Sequence, residues 1–216
     1  MGTHGTGGSL DDNVDARVEY DAVVLAGGSA RRFAGADKVM FAVAGTPMLA
    51  RVLSAVAGAR TTVVVGPERS LAESAGRHVR WTREQPAGSG PLAALAAGLG
   101  TGTAPVVVVL AGDMPMVDTA VVAALVEAAA HDDVDGAVLV DGEGRRQPLA
   151  AAYVRERLQA AMAAIGDPRD RPMRLLLSSM RLGTVPDPRA ALDCDTPDAL
   201  AHVNELATRE RPTDHP

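Results

Sequence analysis

The chain has little cysteine, and this shortage restricts the class of protein it can be. Its 216 residues include one cysteine, Cys194, so no disulfide can form within the chain. A protein of this length buries about 70% of the surface of its unfolded chain, so it can fold without disulfide or metal crosslinks. Because no Cys/His cluster suggests structural zinc either, we expect a protein of the reducing cytoplasm.

Aromatic residues and long apolar runs are also scarce. Aromatic residues make up 2% of the chain, and the formal net charge is −6. Proteins that bind single-stranded nucleic acid stack bases on several aromatic rings, and a negative charge repels phosphate backbones and anionic lipids. No apolar run reaches the roughly 18 residues of a membrane-spanning helix, and the first 18 residues lack the hydrophobic region of a signal peptide. We expect neither nucleic acid nor membrane as a partner.

Short runs of β-branched residues alternate with helical patterns along the chain. Three such runs without polar alternation, typical of strands buried on both faces, lie at 20–26, 61–65 and 105–111. Helical patterns cover 47–58, 67–76, 91–100, 118–131, 154–165, 171–179 and 197–208. This alternation predicts a three-layer α/β fold with a mostly parallel central sheet and helices on both faces.

One domain is expected over residues 19–208. The segments 1–18 and 209–216 contain too few apolar residues to pack and are expected to be tails. Residues 136–153 are predicted to form two strands around a turn. In sheets of this kind ligands bind beyond the carboxyl ends of the strands, so we expect the site in the loops after Leu25 and Leu110.

A glycine-rich loop with three basic residues follows the first strand. Gly27 and Gly28 let the backbone turn tightly and present N–H groups to phosphate oxygens. Arg31 and Arg32 can clamp a phosphate bidentately, and Lys38 can add a point charge. Such a concentration of positive charge in an acidic chain favours an anionic ligand. The alternative is a simple turn with solvated basic side chains.

Two well-known phosphate-binding patterns do not fit this loop. A Walker-type loop has Ser or Thr after its lysine, whereas Val39 follows Lys38. The dinucleotide fingerprint has a third glycine where Arg31 stands. The loop therefore belongs to neither class.

Asp113 follows the buried run that ends at Leu110. A carboxylate beyond a buried strand is costly unless a charge pairs with it, and Mg²⁺ with nucleotide phosphates is the usual reason in this location. Asp113 is therefore the first candidate for a metal ligand, and a cap of the following loop is the alternative. Asp118 is expected to cap the helix that begins near Thr119.

A pair of aspartates lies near the end of the chain. If residues 191–195 are extended, Asp193 and Asp195 share one face and lie about 6.6 Å apart along it. Together with Asp113 they could hold a metal ion. Cys194 points to the other face and is expected to pack rather than react, because no histidine accompanies it in the sequence.

A second glycine-rich segment, residues 83–94, precedes a helix. Gly88 and Gly90 allow a base, ribose or phosphate to approach the backbone at the start of that helix. Glu84 could accept hydrogen bonds from ribose hydroxyls or base amines. The alternative is a connection whose proline and glycines serve only to turn the chain.

These motifs together resemble the molybdenum cofactor guanylyltransferases, the MobA-like nucleotidyltransferases. The first pattern of that family, a strand followed by LAGG, two arginines and a DK pair, is matched by LAGGSARRFAGADK at 25–38. The later matches, in the order of the family, are GPLAA at 90–94, GDMP at 112–115, GRRQPLAAAY at 144–153 and DCDTPDAL at 193–200. The resemblance implies a Rossmann-like nucleotidyltransferase fold over nearly the whole chain between the tails.

The resemblance also implies roles for individual residues. It implies contacts to GTP or another nucleoside triphosphate from Leu25, Ala26, Gly27, Lys38, Glu84 and Asp113, and Gly66 stands at a further family position. Gly28, Arg31 and Gly90 are expected to contact the same ligand from the character of their own loops. Those expected to act in catalysis are Arg32, Lys38 and Asp113. For Mg²⁺ the resemblance implies Asp113; Asp193 and Asp195 are candidates from their spacing, and they replace asparagines seen in some members of the family. The chain departs from the family at Gly66 and Glu84, where Asn and Asp are familiar, and at Gln147, which replaces a frequent His.

The implied reaction is attack by a phosphate monoester on the α-phosphorus of the triphosphate, with pyrophosphate as the leaving group. The monoester is largely a dianion at pH 7, so the reaction needs no general base. The implied acceptor is the phosphate of molybdopterin, and other molybdenum cofactor proteins are implied partners. Two alternatives remain open. The first is a related enzyme that transfers CMP to the molybdenum cofactor, or a nucleotidyl group to another phosphorylated small molecule. The second is a nucleotide-binding module without catalysis.

Overall fold

The computed structural model describes residues 18–27, 36–71 and 79–209. Its strands are β1 (Tyr20–Leu25), β2 (Ala42–Val43), β3 (Thr46–Pro47), β4 (Thr62–Val65), β5 (Val79–Thr82), β6 (Val106–Ala111), β7 (Gly136–Val140), β8 (Arg146–Val154) and β9 (Leu182–Pro186). Its helices are α1 (Met48–Ala55), α2 (Pro91–Leu99), α3 (Thr119–Ala129), α4 (Arg155–Ile165), α5 (Arg174–Ser179) and α6 (Pro197–Arg209), and a one-turn 3₁₀ helix covers Lys38–Met40.

Seven of these strands form one sheet in the order β5-β4-β1-β6-β8-β7-β9. The first four strands in this order, β5, β4, β1 and β6, are parallel to one another, and β9 is parallel to β7. Strand β8 alone runs antiparallel to its neighbours, β6 and β7. The predictions of a mostly parallel sheet and of two strands around a turn over 136–153 are confirmed.

Helices cover both faces of this sheet, as the β-branched runs predict. On β1, Ala22 and Val24 face a core that includes α1 and α3. Val23 and Leu25 face the opposite core, which includes α2, α4 and α5. Alternate side chains of one strand thus enter different cores, which explains why the sequence of β1 shows no polar alternation. The three-layer prediction is confirmed.

The helix predicted over residues 67–76 is wrong as far as the structure describes those residues. Residues 67–71 of the predicted helix 67–76 contain no helix, and residues 72–76 lie outside the described ranges. Pro67 opens this segment, and the Arg69 side chain is engaged with two other parts of the chain, so the residues serve as an irregular connection. The expected tails, apart from Val18 and Arg209, also lie outside the described ranges. None of the described helices is long and apolar enough to cross a membrane.

A third, small core lies beside the sheet and holds Cys194. It is formed by buried residues of the β2–β3 hairpin, the start of α1 and helix α6, together with Met116. Cys194 is fully buried in it, and this burial raises the pKa of the thiol to about 12. The expectation that Cys194 packs rather than reacts agrees with both observations.

A buried ion pair lies in the core of the sheet near the start of β1. Arg155 Nη2 contacts Asp21 Oδ2 at 2.5 Å, and at least nine tenths of each side chain is buried. The loop before β6 completes the arrangement: the Ala104 amide donates to Asp21 Oδ2 at 2.8 Å, and Arg155 Nε donates to the Ala104 carbonyl at 2.6 Å. This network joins β1, β6 and the start of α4. Nothing in the local sequence pattern indicates it.

Replacing Arg155 by methionine should lower the free energy of unfolding by about 3–5 kcal/mol, because the change leaves the Asp21 carboxylate buried without a counter-charge. Denaturant unfolding measures the effect. Arg157→Met is the matched control on the same helix: its side chain is 66% exposed and lies 3.8 Å from Asp135, so its loss should cost about 1 kcal/mol or less. Equal losses in the two variants would contradict the structural role of the buried pair.

Candidate functional site

The carboxyl ends of four neighbouring parallel strands, β5, β4, β1 and β6, meet at one edge of the sheet. Backbone hydrogen bonds continue just beyond the strands: Ala26 N donates to Val65 O at 2.9 Å, and Gly66 N donates to Thr82 O at 2.9 Å. On the other side of β1, Gly112 N donates to Leu25 O at 2.8 Å. The residues directly beyond these strands, among them the predicted Ala26 and Gly66, are therefore held side by side.

Lys38 is held between two carboxylates at this edge. Its ammonium pairs with Asp113 Oδ2, just beyond β6, and donates to Asp195 Oδ1 at 2.6 Å, just before α6. The side chains of Lys38 and Asp113 are each 18% exposed, whereas that of Asp195 is 54% exposed. The structure thus brings together three residues that were predicted from separate motifs.

The segment that carries Asp193 and Asp195 is fixed by its buried neighbour. Cys194 N donates to the Asp113 carbonyl at 3.1 Å, and the Cys194 side chain enters the third core. The two aspartates on either side of it are exposed. The segment is not a regular strand, but the predicted alternation of buried and exposed side chains is present.

Electrostatics couple the three aspartates to Lys38. Partial burial raises the pKa of Asp193, and repulsion from Asp195 and Asp113 raises it further. For Lys38, burial acts to lower the pKa, but the hydrogen bonds and charges of Asp113 and Asp195 outweigh it, so the pKa lies above its usual value. Lys38 therefore pairs with Asp113 and Asp195, and the charge of Asp193 acts on the same group, so among the described residues three carboxylates face one ammonium.

These carboxylates have the donor chemistry that Mg²⁺ prefers, but they do not form a complete metal cage. Within residues 18–27, 36–71 and 79–209, no three His, Cys, Asp or Glu side chains are grouped to hold a metal ion. The Lys38 ammonium instead bridges Asp113 and Asp195. Protein-bound Mg²⁺ commonly uses one or two carboxylates and takes its other ligands from water and substrate phosphates. The donor set fits a divalent ion bound in that way.

Lys38 is also the only lysine in the sequence. The other 20 of the 21 basic residues counted as Lys or Arg are arginines. An ammonium acts as a compact point charge, whereas a guanidinium is a planar fork, so the two are not interchangeable. In a chain that otherwise uses arginine, a single lysine at this edge indicates that this position requires a compact ammonium.

The predicted residues at the end of β1 contribute mainly backbone. Leu25 and Ala26 are buried, and Gly27 is exposed beyond them. The approach of the neighbouring loop explains Gly66: a Cβ atom on it would lie 2.7 Å from the Ala26 carbonyl oxygen, so only glycine fits without movement. Gly28, Arg31 and Arg32 lie outside the described residues.

The buried side chain of Glu84 stabilises the second glycine-rich segment, residues 83–94, by a hydrogen bond to its backbone. The residue is only 8% exposed, and its Oε1 accepts a hydrogen bond from Gly88 N at 2.8 Å. Gly90 precedes α2 with a positive φ of 89°, a conformation that favours glycine. A groove of about 440 Å³ adjoins Glu84 between α2 and residues 167–169. The segment is therefore a turn built beside an open groove.

The turn between β7 and β8 reaches the same edge of the sheet. Arg145 donates to Asp141 at 2.8 Å and, with two backbone amides, holds the pKa of that carboxyl at about 2. Gln147 donates to the same carboxylate at 3.3 Å. Because β8 runs antiparallel to β6, with Ala150 opposite Leu110, the start of β8 lies at the end of β6 that Asp113 follows.

Sequence patterns do not single out Arg69, although the structure places it next to the site. Its guanidinium donates to the carbonyl of Ala26, to the carbonyl of Pro67 and to both carboxylate oxygens of Asp37. Its side chain is 10% exposed. A lone arginine in an irregular segment carries no recognisable motif, so only the tertiary structure identifies it.

Comparison with sequences of known proteins identifies one family that matches most of this chain. The family model of the MobA-like NTP transferase domain matches residues 22–184. The molybdenum cofactor guanylyltransferase of Shewanella sp. (strain MR-4) is 27% identical over 195 residues, which cover 90% of this chain and 95% of that protein. The protein of the same name from Cupriavidus necator is 35% identical over 136 residues, which cover 61% of this chain and 68% of the relative.

Comparison with solved structures gives the same fold. A nucleotidyl transferase from Methanothermobacter thermautotroptrophicus has a TM-score of 0.71 at 23% identity, over 88% of this chain and 98% of that one. Molybdopterin-guanine dinucleotide biosynthesis protein A from Archaeoglobus fulgidus has a TM-score of 0.65 at 23% identity, over 88% and 99% of the two chains. Because the family match extends from β1 into β9 and includes both Lys38 and Asp113, the chain belongs to the MobA-like NTP transferase domain family.

Proposed function

We propose that this protein transfers GMP from GTP to the phosphate of molybdopterin and releases pyrophosphate. The observation that carries the proposal is the position of Lys38 between Asp113 and Asp195 at the carboxyl edge of the sheet. Relatives that match along nearly their whole length are named molybdenum cofactor guanylyltransferases, which supports the choice of substrates. The proposed catalytic unit is the domain over residues 19–208, acting in the cytoplasm with other molybdenum cofactor proteins.

The basic residues would bind the triphosphate. Lys38 would place its charge on the phosphates, and Arg31 and Arg32 would hold further phosphate oxygens. Leu25, Ala26, Gly27 and Gly28 would line the phosphates with backbone. On the base side, Gly66, Glu84 and Gly90 would shape the place of the nucleoside, Glu84 by supporting the turn through its bond to Gly88.

The acidic residues would hold the metal. Asp113 would be the principal ligand of Mg²⁺, with Asp195 or Asp193 beside it, because Asp113 and Asp195 both contact Lys38 and the charge of Asp193 is coupled to these groups. When bound, the metal supplies positive charge that offsets the charge of the phosphate oxygens. Burial is the main cause of the raised pKa of Asp193, and repulsion from Asp195 and Asp113 adds to it, so a cation bound here would relieve part of that repulsion.

The reaction requires positioning more than proton transfer. An oxygen of the acceptor phosphate attacks the α-phosphorus of GTP, and the bond from that phosphorus to the bridging oxygen breaks. Pyrophosphate leaves with the electron pair. Because the attacking monoester is already largely a dianion at pH 7, no side chain has to remove a proton. Lys38 and the arginines would offset the charge that develops on the leaving group.

The direct test is to incubate the protein with Mg²⁺, molybdopterin and one of GTP, CTP, ATP or UTP, and to measure pyrophosphate. We expect release with GTP and dependence on molybdopterin. Release with CTP alone would replace the proposal by cytidylyl transfer. Binding of nucleotides without release of pyrophosphate would indicate a binding module without catalysis, and thermal stabilisation by each triphosphate separates that result from an inactive preparation.

Replacing Lys38 by alanine should lower kcat by on the order of 10²-fold or more, as the loss of one preorganised charge-stabilising donor does. Lys38→Arg should not restore the rate, because a planar guanidinium does not reproduce the compact ammonium. Turnover at saturating GTP measures both variants. A rate near that of the unchanged protein in Lys38→Ala would contradict the catalytic role.

Asp113→Asn should abolish the Mg²⁺-dependent transfer while the protein remains folded, because an amide keeps the shape of the side chain but removes its charge. Titration of activity with Mg²⁺ measures the effect. Asp118→Asn is the matched control: Asp118 caps α3 through its bond to Val121 N at 2.9 Å, and asparagine caps helices equally well. If Asp113→Asn titrated with Mg²⁺ like the control, Asp113 would not be the metal ligand.

A further inference from the structure

Arg69 connects the end of β1 to the residue that precedes Lys38. Its Nη2 donates to the Ala26 carbonyl at 2.9 Å and to Asp37 Oδ1 at 3.0 Å. Its Nε donates to Asp37 Oδ2 at 2.5 Å, and its Nη1 donates to the Pro67 carbonyl at 2.9 Å. One side chain therefore holds three segments of the chain together.

Almost all the hydrogen-bonding capacity of Arg69 is used by the protein itself. A guanidinium has five N–H donors, and four of them are engaged by Ala26, Pro67 and Asp37. The side chain is 10% exposed. Arg69 is therefore placed to act on a ligand through other residues rather than by direct contact.

Asp37 is the residue through which it can act. The Asp37 carbonyl accepts a hydrogen bond from Met40 N at 3.0 Å and so opens the 3₁₀ turn that begins with Lys38. The Asp37 carboxylate does not cap that turn, and it binds Arg69 instead in a bidentate ion pair. Such charge-assisted pairs are geometrically specific as well as strong.

The neighbouring side chains of Asp37 and Lys38 bind partners in different parts of the chain. Asp37 is bound to Arg69, whereas Lys38 is bound to Asp113 and Asp195. Because the carbonyl of Ala26 also binds Arg69, the start of the 3₁₀ turn is held at a set distance from the end of β1. We infer that Arg69 is a positioning residue that, through Asp37, sets the place of the Lys38 ammonium relative to the end of β1.

The inference rests in part on the proposed function, because it takes Lys38 to bind the triphosphate. Two readouts separate the two ideas. The KM for GTP depends on both, whereas the rate at which an amine-specific reagent modifies Lys38 depends only on the surroundings of that residue. Since Lys38 is the only lysine, peptide mapping distinguishes its modification from that of the amino terminus.

The test compares Arg69→Gln, Asp37→Asn and the double variant. Each single variant should raise the KM for GTP about tenfold or more, the effect of losing a charged hydrogen bond, with a smaller change in kcat. Each should also speed the modification of Lys38 several-fold. The double variant should be no worse than the worse single one, because both changes break the same ion pair. Arg60→Gln is the control: this exposed arginine pairs with Glu19 at 2.8 Å, at the start of β1.

Three results would overturn the inference. An increase in KM in Arg69→Gln but not in Asp37→Asn would show that Arg69 contacts the nucleotide directly. A lower unfolding midpoint in both variants, with KM and the modification of Lys38 unchanged, would show a structural role alone. Modification of Lys38 at the rate of the Arg60→Gln control in all variants would show that the ion pair does not position it. If the unchanged protein bound no triphosphate, the proposed function would fail, and the modification rates would still decide on Arg69.

Discussion

The arrangement of the site depends on one ammonium shared by carboxylates from distant parts of the chain. Asp113 follows β6 and Asp195 precedes α6, and without Lys38 between them these groups would repel each other and Asp193. The pairing is worth more than a surface salt bridge because Lys38 and Asp113 are both largely shielded from water. It also leaves the carboxylates in excess over the one ammonium, which is the charge balance that the proposed binding of a cation together with a polyanion requires.

Neutral, buried groups hold the charged ones in position. Gly112 N binds the Leu25 carbonyl, so the loop that carries Asp113 continues the pairing of β1 with β6. Cys194 N binds the Asp113 carbonyl, and its side chain is buried in the third core. The backbone of each acidic segment is thus tied to the sheet or to a core, while the carboxylates of Asp113 and Asp195 extend from it to Lys38. Charged side chains that repel one another stay close because their backbones cannot separate.

The hydrophobic pattern of the sequence predicts the buried strands of this protein and the residues that follow them. The unbroken valines of 106–109 predict a strand buried on both faces, and that strand in turn predicts where Asp113 lies. Strand β5, with the sequence VRWT, is a short strand at the edge of the sheet, so it lacks such a run and escapes prediction. Arg69 and the Asp21–Arg155 pair escape it for another reason: each joins residues far apart in sequence, and only the folded chain brings them together.

The different uses of arginine and lysine here follow from their chemistry. Arg69 engages four N–H groups in fixed directions, so it can hold three segments but cannot release one of them without losing several bonds. Lys38 holds Asp113 and Asp195 through a point charge on a flexible stem, and such a charge can exchange a carboxylate oxygen for a phosphate oxygen by a small rotation. Under the proposed function the site holds its own acidic groups when empty and a triphosphate when occupied, and the second kind of cation suits both states. The first kind is suited to the support behind it, which is where the fold places Arg69.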